Sequence, residues 1–380
     1  MAAHVAIVGA GIMGRVLAWQ LRQDAPQLAI TLYDKDGYHG GSAAAYTAAG
    51  MLAPYSELLN ADSRLFALGR DSLSLWPDFV ASLKHDVDFQ QQGTVVVAHR
   101  QDNADYRRFL QHVQAKLPPQ YNQDCTVLAH QQLQRLSPQL SARFDQAVHF
   151  RHEAWVDGGQ LMGVLAECLL AKGVSWLPHT EVLAFTPQDE KVTIQSVNTK
   201  SVNTPHSGCI DSSIAFDWVI DCRGMGAKKH LPGLRGVRGE VITLHAPQVE
   251  LQHALRLIHP RYSLYLVPRK QHIFVLGASQ IETEDYGPIT VGSALELLSA
   301  AYSIDGGFAE ARIVKTAANC RPALADNLPQ ITLTKRLMSI NGLFRHGFLL
   351  APLLARQAAS LILHGSVSDQ YKSLLKEVLC

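Results

Sequence analysis

Residues 4–14 read HVAIVGAGIMG, and this stretch decides the fold. His4–Val8 is a short apolar run ending in glycine, as a buried strand does. From Gly11 to Gln23 the apolar residues Met13, Val16, Leu17 and Leu21 recur at helical spacing, and Ala29–Tyr33 is a second apolar strand closed by Asp34. Strand, helix and strand within about thirty residues make one right-handed βαβ unit. Gly9-Ala10-Gly11-Ile12-Met13-Gly14 is then a GxGxxG fingerprint in its proper setting. Gly9 makes the tight turn, Gly11 lets a pyrophosphate approach the backbone, and Gly14 lets helix pack on strand. The helix start at Ile12 and Met13 offers free N–H groups and the positive end of a dipole to the phosphates. Asp34, twenty residues after Gly14 and followed by Lys35, is placed to accept ribose hydroxyls. A dinucleotide site follows. A disulfide-reductase type of flavoprotein needs a second fingerprint and usually a CxxC pair, and neither occurs. A single-fingerprint NAD dehydrogenase satisfies these residues as well as a flavoprotein does.

Further along, Gly159–Lys172 reads as an amphipathic helix, followed by strands around Trp176 and Val182–Phe185, and Asp217–Cys222 as an apolar strand running into Gly224. Phe89–His99, Val237–His245, Tyr262–Arg269 and His272–Ser279 are β-rich with turn residues between them, as in an antiparallel sheet inserted into the nucleotide domain in more than one crossing. SVNT occurs twice in 196–204, and the segment 196–213 reads as a solvent-exposed loop or hairpin tip. A last helix follows 344–352 and runs to about Leu363, with Gly365 as its stop and Pro352 expected in its first turn.

The 380 residues carry a net charge of +1, with 47% hydrophobic and 18% charged residues. No basic run points to nucleic acid or to a membrane surface, and no signal peptide or spanning segment is read, so the expected location is the cytoplasm. Cys125, Cys168, Cys209, Cys222, Cys320 and Cys380 are scattered without zinc spacing, which suits free thiols and no metal. Composition leaves a homo-oligomer open.

GSAAAYTAAGMLAP at 41–54, VRGEV at 237–241, YLVPRK at 265–270, FVLGAS at 274–279, RPALADNLP at 321–329 and GLFRHGFLLAP at 342–352 occur in this order. Together they resemble the D-amino-acid-oxidase family of flavoproteins, and within it the glycine oxidases of thiamine (thiazole) biosynthesis. The likeness spans nearly the whole chain outside 196–213. It implies an α/β fold. A Rossmann-type, glutathione-reductase-like FAD-binding domain would comprise 1–85, 150–230 and 325–380, and an inserted mixed or antiparallel β-sheet substrate domain 86–149 and 231–324. It implies that Thr47, Ala49, Gly50 and Met51 pass along the flavin ring, that Val182 meets the adenine, and that Gly224 lines the cofactor site. Gly347, Phe348 and Leu349 would cover the pyrimidine edge, where the last helix aims its N-terminus at the charge of the reduced flavin, and Arg345 and His346 would also touch the cofactor. Arg321 would hold the substrate carboxylate with its planar fork, Tyr265 would stand beside it, and Arg345 would lie near the flavin.

The implied activity is oxidative deamination of glycine, sarcosine or a short D-amino acid. The carboxylate is fixed, hydride passes from Cα to the flavin, the imine hydrolyses to an oxo acid and ammonia, and molecular oxygen becomes hydrogen peroxide. No protein base is required at Cα; His346 is a candidate proton acceptor. The chain also departs from the family pattern. Ser263 and Leu343 stand where histidines are usual, and Cys222-Arg223-Gly224 lacks the usual Gly-x-Trp continuation. These changes touch the pocket's size and polarity and leave FAD binding intact. Two other functions fit the same residues: a flavin dehydrogenase with a non-oxygen acceptor, and a flavoprotein acting on an amine held by a protein or RNA partner. A flavin-binding protein without turnover fits less well, because Arg321 and Tyr265 are both present.

Overall fold

The computed structural model describes residues 3–59, 62–200, 212–261 and 263–377. The apolar run His4–Val8 becomes an interior strand of a seven-stranded sheet, paired in parallel with Ala29–Tyr33 on one side and Trp218–Asp221 on the other. Ser175–Leu177 extends one edge, and Leu337–Asn341, Gln330–Thr334 and Leu375–Glu377 extend the other. Strands this apolar need cover. Helix Ile12–Asp24 packs against the last helix, Gly347–His364, which in turn packs against helix Ser63–Leu83.

Eight strands form the second sheet, in the order Arg312–Ala323, Arg235–His245, Ile273–Gly277, Ser263–Arg269, Ala254–Ile258, Thr94–Ala98, Gln146–Phe150 and Cys125–Ala129. All its pairs are antiparallel except Ala254–Ile258 with Thr94–Ala98, so the sheet is mixed. Thr180–Pro187, Val192–Asn198 and Ser212–Phe216 make a three-stranded sheet. The segment read as a loop at 196–213 is strand at both ends, 196–198 and 212–213 belonging to the last two strands with Ser196 paired to Ser212, and 201–211 lie outside the described residues.

Three differences from the sequence reading have local causes. The stretch 89–99 is two short strands, Phe89–Gln90 and Thr94–Ala98, in separate sheets. Gly93 turns the chain between them at φ +83°, where a Cβ would sit 2.8 Å from the Phe150 carbonyl oxygen. Helix Ser63–Leu83 escaped the reading because Pro77 interrupts its pattern. Pro352 is the sixth residue of helix Gly347–His364, in its second turn. Helix Ser63–Leu83 covers the opening there: Leu353 N–H donates to Ser72 Oγ (3.3 Å) and Trp76 Nε1 donates to the Leu349 carbonyl (3.4 Å). By length and composition Gly347–His364 would cross a bilayer, yet twelve of its eighteen residues are buried, as in a core helix.

Candidate active site

A cleft of about 700 Å³ is lined by residues of both large sheets. At one end lies the glycine turn. Gly9 has φ +100°, and a Cβ there would meet Arg223 Cα at 2.8 Å. A Cβ on Gly14 would overlap the Gly9 carbonyl oxygen, so this glycine lets the helix sit on the turn; it does not itself line the cleft. Gly11 faces open space: a Cβ there would find its nearest neighbour, Ala43 Cβ, 3.9 Å away. No side chain caps helix Ile12–Asp24, and Ile12 and Met13 line the cleft. Asp34 accepts from Ala10 N–H and from Asp36 N–H (2.8 Å), which pins the fingerprint to the strand end; Lys35 follows it along the wall. Burial pushes the Asp34 carboxyl up, against those hydrogen bonds.

Thr47, Ala49, Gly50 and Met51 line the middle of the cleft. Gly50 has φ +70°, and a Cβ would overlap the Val156 carbonyl oxygen. Val156 N–H donates to the Gly50 carbonyl at 2.9 Å, while the buried Arg269 guanidinium donates to the carbonyls of Ala49 and Val156 (3.0 Å to the latter). Arg269 therefore fixes this backbone, a role the sequence reading missed. Val182 lines the cleft, and its carbonyl already accepts from Arg223 Nη1 at 3.0 Å, with Arg223 held by Asp221 at 2.8 Å. Gly224, at φ +56°, also lines it. His346, Gly347 and Phe348 stand at the start of the last helix, which again has no side-chain cap. Leu349 is turned away, toward Gly69 on helix Ser63–Leu83. An open glycine cradle and two uncapped helix starts on one cleft suit a cofactor with a diphosphate at one end and an anionic ring edge at the other.

Tyr265, Arg321 and Arg345 converge at the remaining wall. Arg321 stands on strand Arg312–Ala323 opposite Val237, and its guanidinium lies diagonally across Gly239. Nη1 donates to the carbonyls of Ser279 (3.2 Å) and Arg238 (3.4 Å). Burial lowers the Arg321 pKa, with Tyr265 opposing that shift and Arg345 adding to it. Burial raises the Tyr265 hydroxyl, while Arg321 and Arg345 pull it back. Arg345 donates to Glu57 and to Gln280 Oε1 (3.2 Å). Arg256 reaches the other Glu57 oxygen at 3.1 Å. Burial alone would push Glu57 up, but Arg256 and Arg345 outweigh it and hold the carboxyl down at about 2. His346 is pushed by burial down to about 4, against the pull of Glu57, so it is neutral near pH 7 and a weak base. Leu343 is buried in the wall. Cys125, Cys168, Cys222 and Cys320 are free thiols; Cys209 and Cys380 lie outside the described residues. Among the described residues no three of His, Cys, Asp and Glu gather as metal ligands would.

The DAO family model, described as FAD dependent oxidoreductase, matches residues 4–361. The chain belongs to the DAO family of FAD-dependent oxidoreductases. It is similar to a provisionally named thiamine biosynthesis oxidoreductase, ThiO, of Rhizobium etli, at 35% identity over 95% of this chain and 96% of the relative. A glycine oxidase of Geobacillus kaustophilus is 25% identical over 94% of this chain and 92% of its own. The solved structure of a glycine oxidase from that organism superposes with a TM-score of 0.80 at 22% identity, covering 97% and 96% of the two chains. Iminodiacetate oxidase from Chelativorans sp. BNC1 gives 0.81 at 21% identity, covering 98% and 99%. The fold of these solved neighbours is the expected one, a Rossmann-type FAD-binding domain with a mixed sheet domain beside it, and the cofactor of this family member is FAD.

Proposed function

We propose that this flavoenzyme oxidises glycine or another small amino acid, sarcosine or a short D-amino acid, in the cytoplasm. The amino acid, dioxygen and water would give an oxo acid, hydrogen peroxide and ammonia, with methylamine in place of ammonia when the substrate is sarcosine. The carrying observation is Arg321 laid over Gly239 with Tyr265 beside it, on the cleft that also holds the glycine cradle. FAD, when bound, supplies the two-electron acceptor beside Cα. Arg321 pairs with the carboxylate through the donors its backbone contacts leave over, and Tyr265 orients it. The buried Leu343 and the neutral His346 disfavour an ammonium in the wall, so the amine is held in its neutral, oxidisable form.

In this reading the fingerprint glycines with Asp34, the 47–51 stretch, Val182, Gly224 and 345–348 hold the cofactor. Residues 1–85, 150–230 and 325–380 form the FAD unit, and 86–149 with 231–324 form the substrate unit. The distribution of strands supports the division: the eight-stranded sheet draws only on 94–150 and 235–323. The name of the Rhizobium etli relative supports a place in thiamine biosynthesis.

The test is anaerobic flavin bleaching and oxygen uptake with glycine, sarcosine, D-alanine, L-alanine and a bulky D-amino acid. Fastest bleaching by glycine, sarcosine or D-alanine is expected. Fastest bleaching by L-alanine or the bulky substrate would overturn the pocket assignment; bleaching by none would point to an amine carried on a macromolecule.

A further inference from the structure

Arg269 closes strand Ser263–Arg269; its side chain is 6% exposed, yet it does not line the cleft. Its Nη2 donates to the carbonyls of Ala49 and Val156 (3.0 Å to the latter), and Nη1 donates to the Pro268 carbonyl (3.2 Å). Two carboxylates answer its charge. Asp157 stands 3.7 Å from Nε with a side chain 37% exposed, and Asp88 lies beyond ion-pair distance. Burial works against the guanidinium charge, and both acids support it. The cation is held just behind the cleft wall: a Cβ on Gly50 would fall 3.4 Å from Nη2.

These contacts decide what the Gly50 N–H can do. Val156 N–H donates to the Gly50 carbonyl at 2.9 Å, and Met51 lies opposite Trp155 in the adjoining antiparallel pair. A regular ladder would return the bond, from Gly50 N–H to the Val156 carbonyl. Here Gly50 takes φ +70° and Arg269 occupies that acceptor. Among the described residues the Gly50 N–H finds no other acceptor. The Ala49–Gly50 peptide is trans, so its C=O and N–H point in opposite directions. The C=O points at Arg269 behind the wall, and the N–H therefore points into the cleft that Ala49 and Gly50 line. A guanidinium on the C=O also draws charge through the amide and makes its N–H the stronger donor.

We propose that Arg269 is a positioning residue that frees the Gly50 N–H, strengthens it as a donor to the flavin ring, and so raises the cofactor's reduction potential. This rests on the ring lying along 47–51, as in the function proposed above. Reduction leaves one negative charge on a ring that was uncharged, and a donor fixed in advance favours the charged form. The hydride leaving the substrate Cα supplies both electrons and the proton that accompanies them, so no further reductant is needed. An Arg269 that only held the wall together would favour neither redox state.

The holoenzyme and its variants are compared by two-electron midpoint potential, read from flavin absorbance in equilibrium with a reference dye. In Arg269→Met the reduction equilibrium should shift about 10-fold toward the oxidised form, or about 30 mV lower, and Arg269→Lys should recover part of the shift. Asp157→Asn should act with the opposite sign. It removes the nearer counter-charge while asparagine still caps helix Gly158–Ala171, so the potential should rise. An unchanged potential in Arg269→Met overturns the role of Arg269. A fall in Asp157→Asn as well overturns it too, because it would mark a general loosening of the wall. Should Arg269→Met lose its flavin, Arg269→Lys below the unmodified enzyme and Asp157→Asn above it carry the same test. Met51→Tyr checks the ring's place separately and should shift the flavin absorbance bands. An unchanged spectrum there overturns the placement along 47–51, whereas a shifted spectrum with unchanged potentials overturns only the part given to Arg269.

Discussion

Gly239→Ala isolates the placement of Arg321 without touching it. Strand Arg235–His245 runs beside Arg312–Ala323 with Gly239 opposite Asn319, two residues before Arg321. A Cβ at 239 would fall 2.5 Å from Arg321 Nη1 and closer still to Cζ and Nη2. The obstruction is the far end of a flexible side chain, so the fold yields easily: Arg321 swings off the strand and loses its contacts to Ser279 and Arg238. What is lost is charged hydrogen bonding to the substrate, about 1.5–3 kcal/mol, or roughly 10- to 150-fold in KM. The assay is initial oxygen uptake against concentration of the amino acid that bleaches the flavin fastest, with flavin absorbance and Tm as folding controls. Flavin content and Tm should stay near those of the unmodified enzyme. The double variant Gly239→Ala/Arg321→Ala should be no worse than Arg321→Ala alone, because both remove one interaction. An unchanged KM in Gly239→Ala, or losses that add in the double variant, would refute the placement.

Gly11→Val should leave the chain folded, since only Ala43 lies near the new side chain, but fill the diphosphate position; a colourless, folded protein is expected, and full flavin occupancy would sink the cradle assignment. Arg321→Ala should raise KM for amino acids by about 2–3 kcal/mol and affect amines lacking a carboxylate far less, while equal losses for both would make Arg321 structural. His346 is held by burial at about 4 in the fold against 6.5 in the unfolded chain. Between those values the unfolded state binds the extra proton, so His346 makes stability fall as pH drops from about 6.5 to 4. In His346→Gln the difference in Tm between pH 7 and pH 5 should shrink; an unchanged difference would mean that His346 is not buried neutral.

The βαβ unit was legible because each of its demands is local. A strand ending in glycine, a turn that needs φ +100° at Gly9, and a helix whose Gly14 must lie on that turn are all written within a dozen residues. The second sheet was legible only as strands. The stretch 237–245 and the segments near Tyr265 and Phe274 announce themselves by β-branched and aromatic runs, but nothing local says that Ala254–Ile258 pairs in parallel with Thr94–Ala98. Helix Val291–Ile304 went unread for a different reason. Val291 and Leu295 are exposed on it, and this blurs the one-sided pattern that marks an amphipathic helix.

The site divides along the same line. Arg321 and Tyr265 were found through motifs that carry them, whereas Glu57 sits in an irregular stretch after Pro54 where a lone acid says nothing. Its meaning comes from Arg345, 288 residues away, and from Arg256 behind it. Arg269 was visible in its motif, yet its work is done on the carbonyls of Ala49 and Val156, which carry no sequence signal. Gly239 is the sharpest case. It needs no left-handed backbone and makes no turn, so local rules see an ordinary weak point in a strand. Only the register, with Gly239 opposite Asn319 and Arg321 reaching across from two residues on, shows that a side chain is missing there because an arginine occupies its place. Residues that act by presence can be proposed from their chemistry; one that acts by leaving room becomes visible only when the neighbour that fills the room is known.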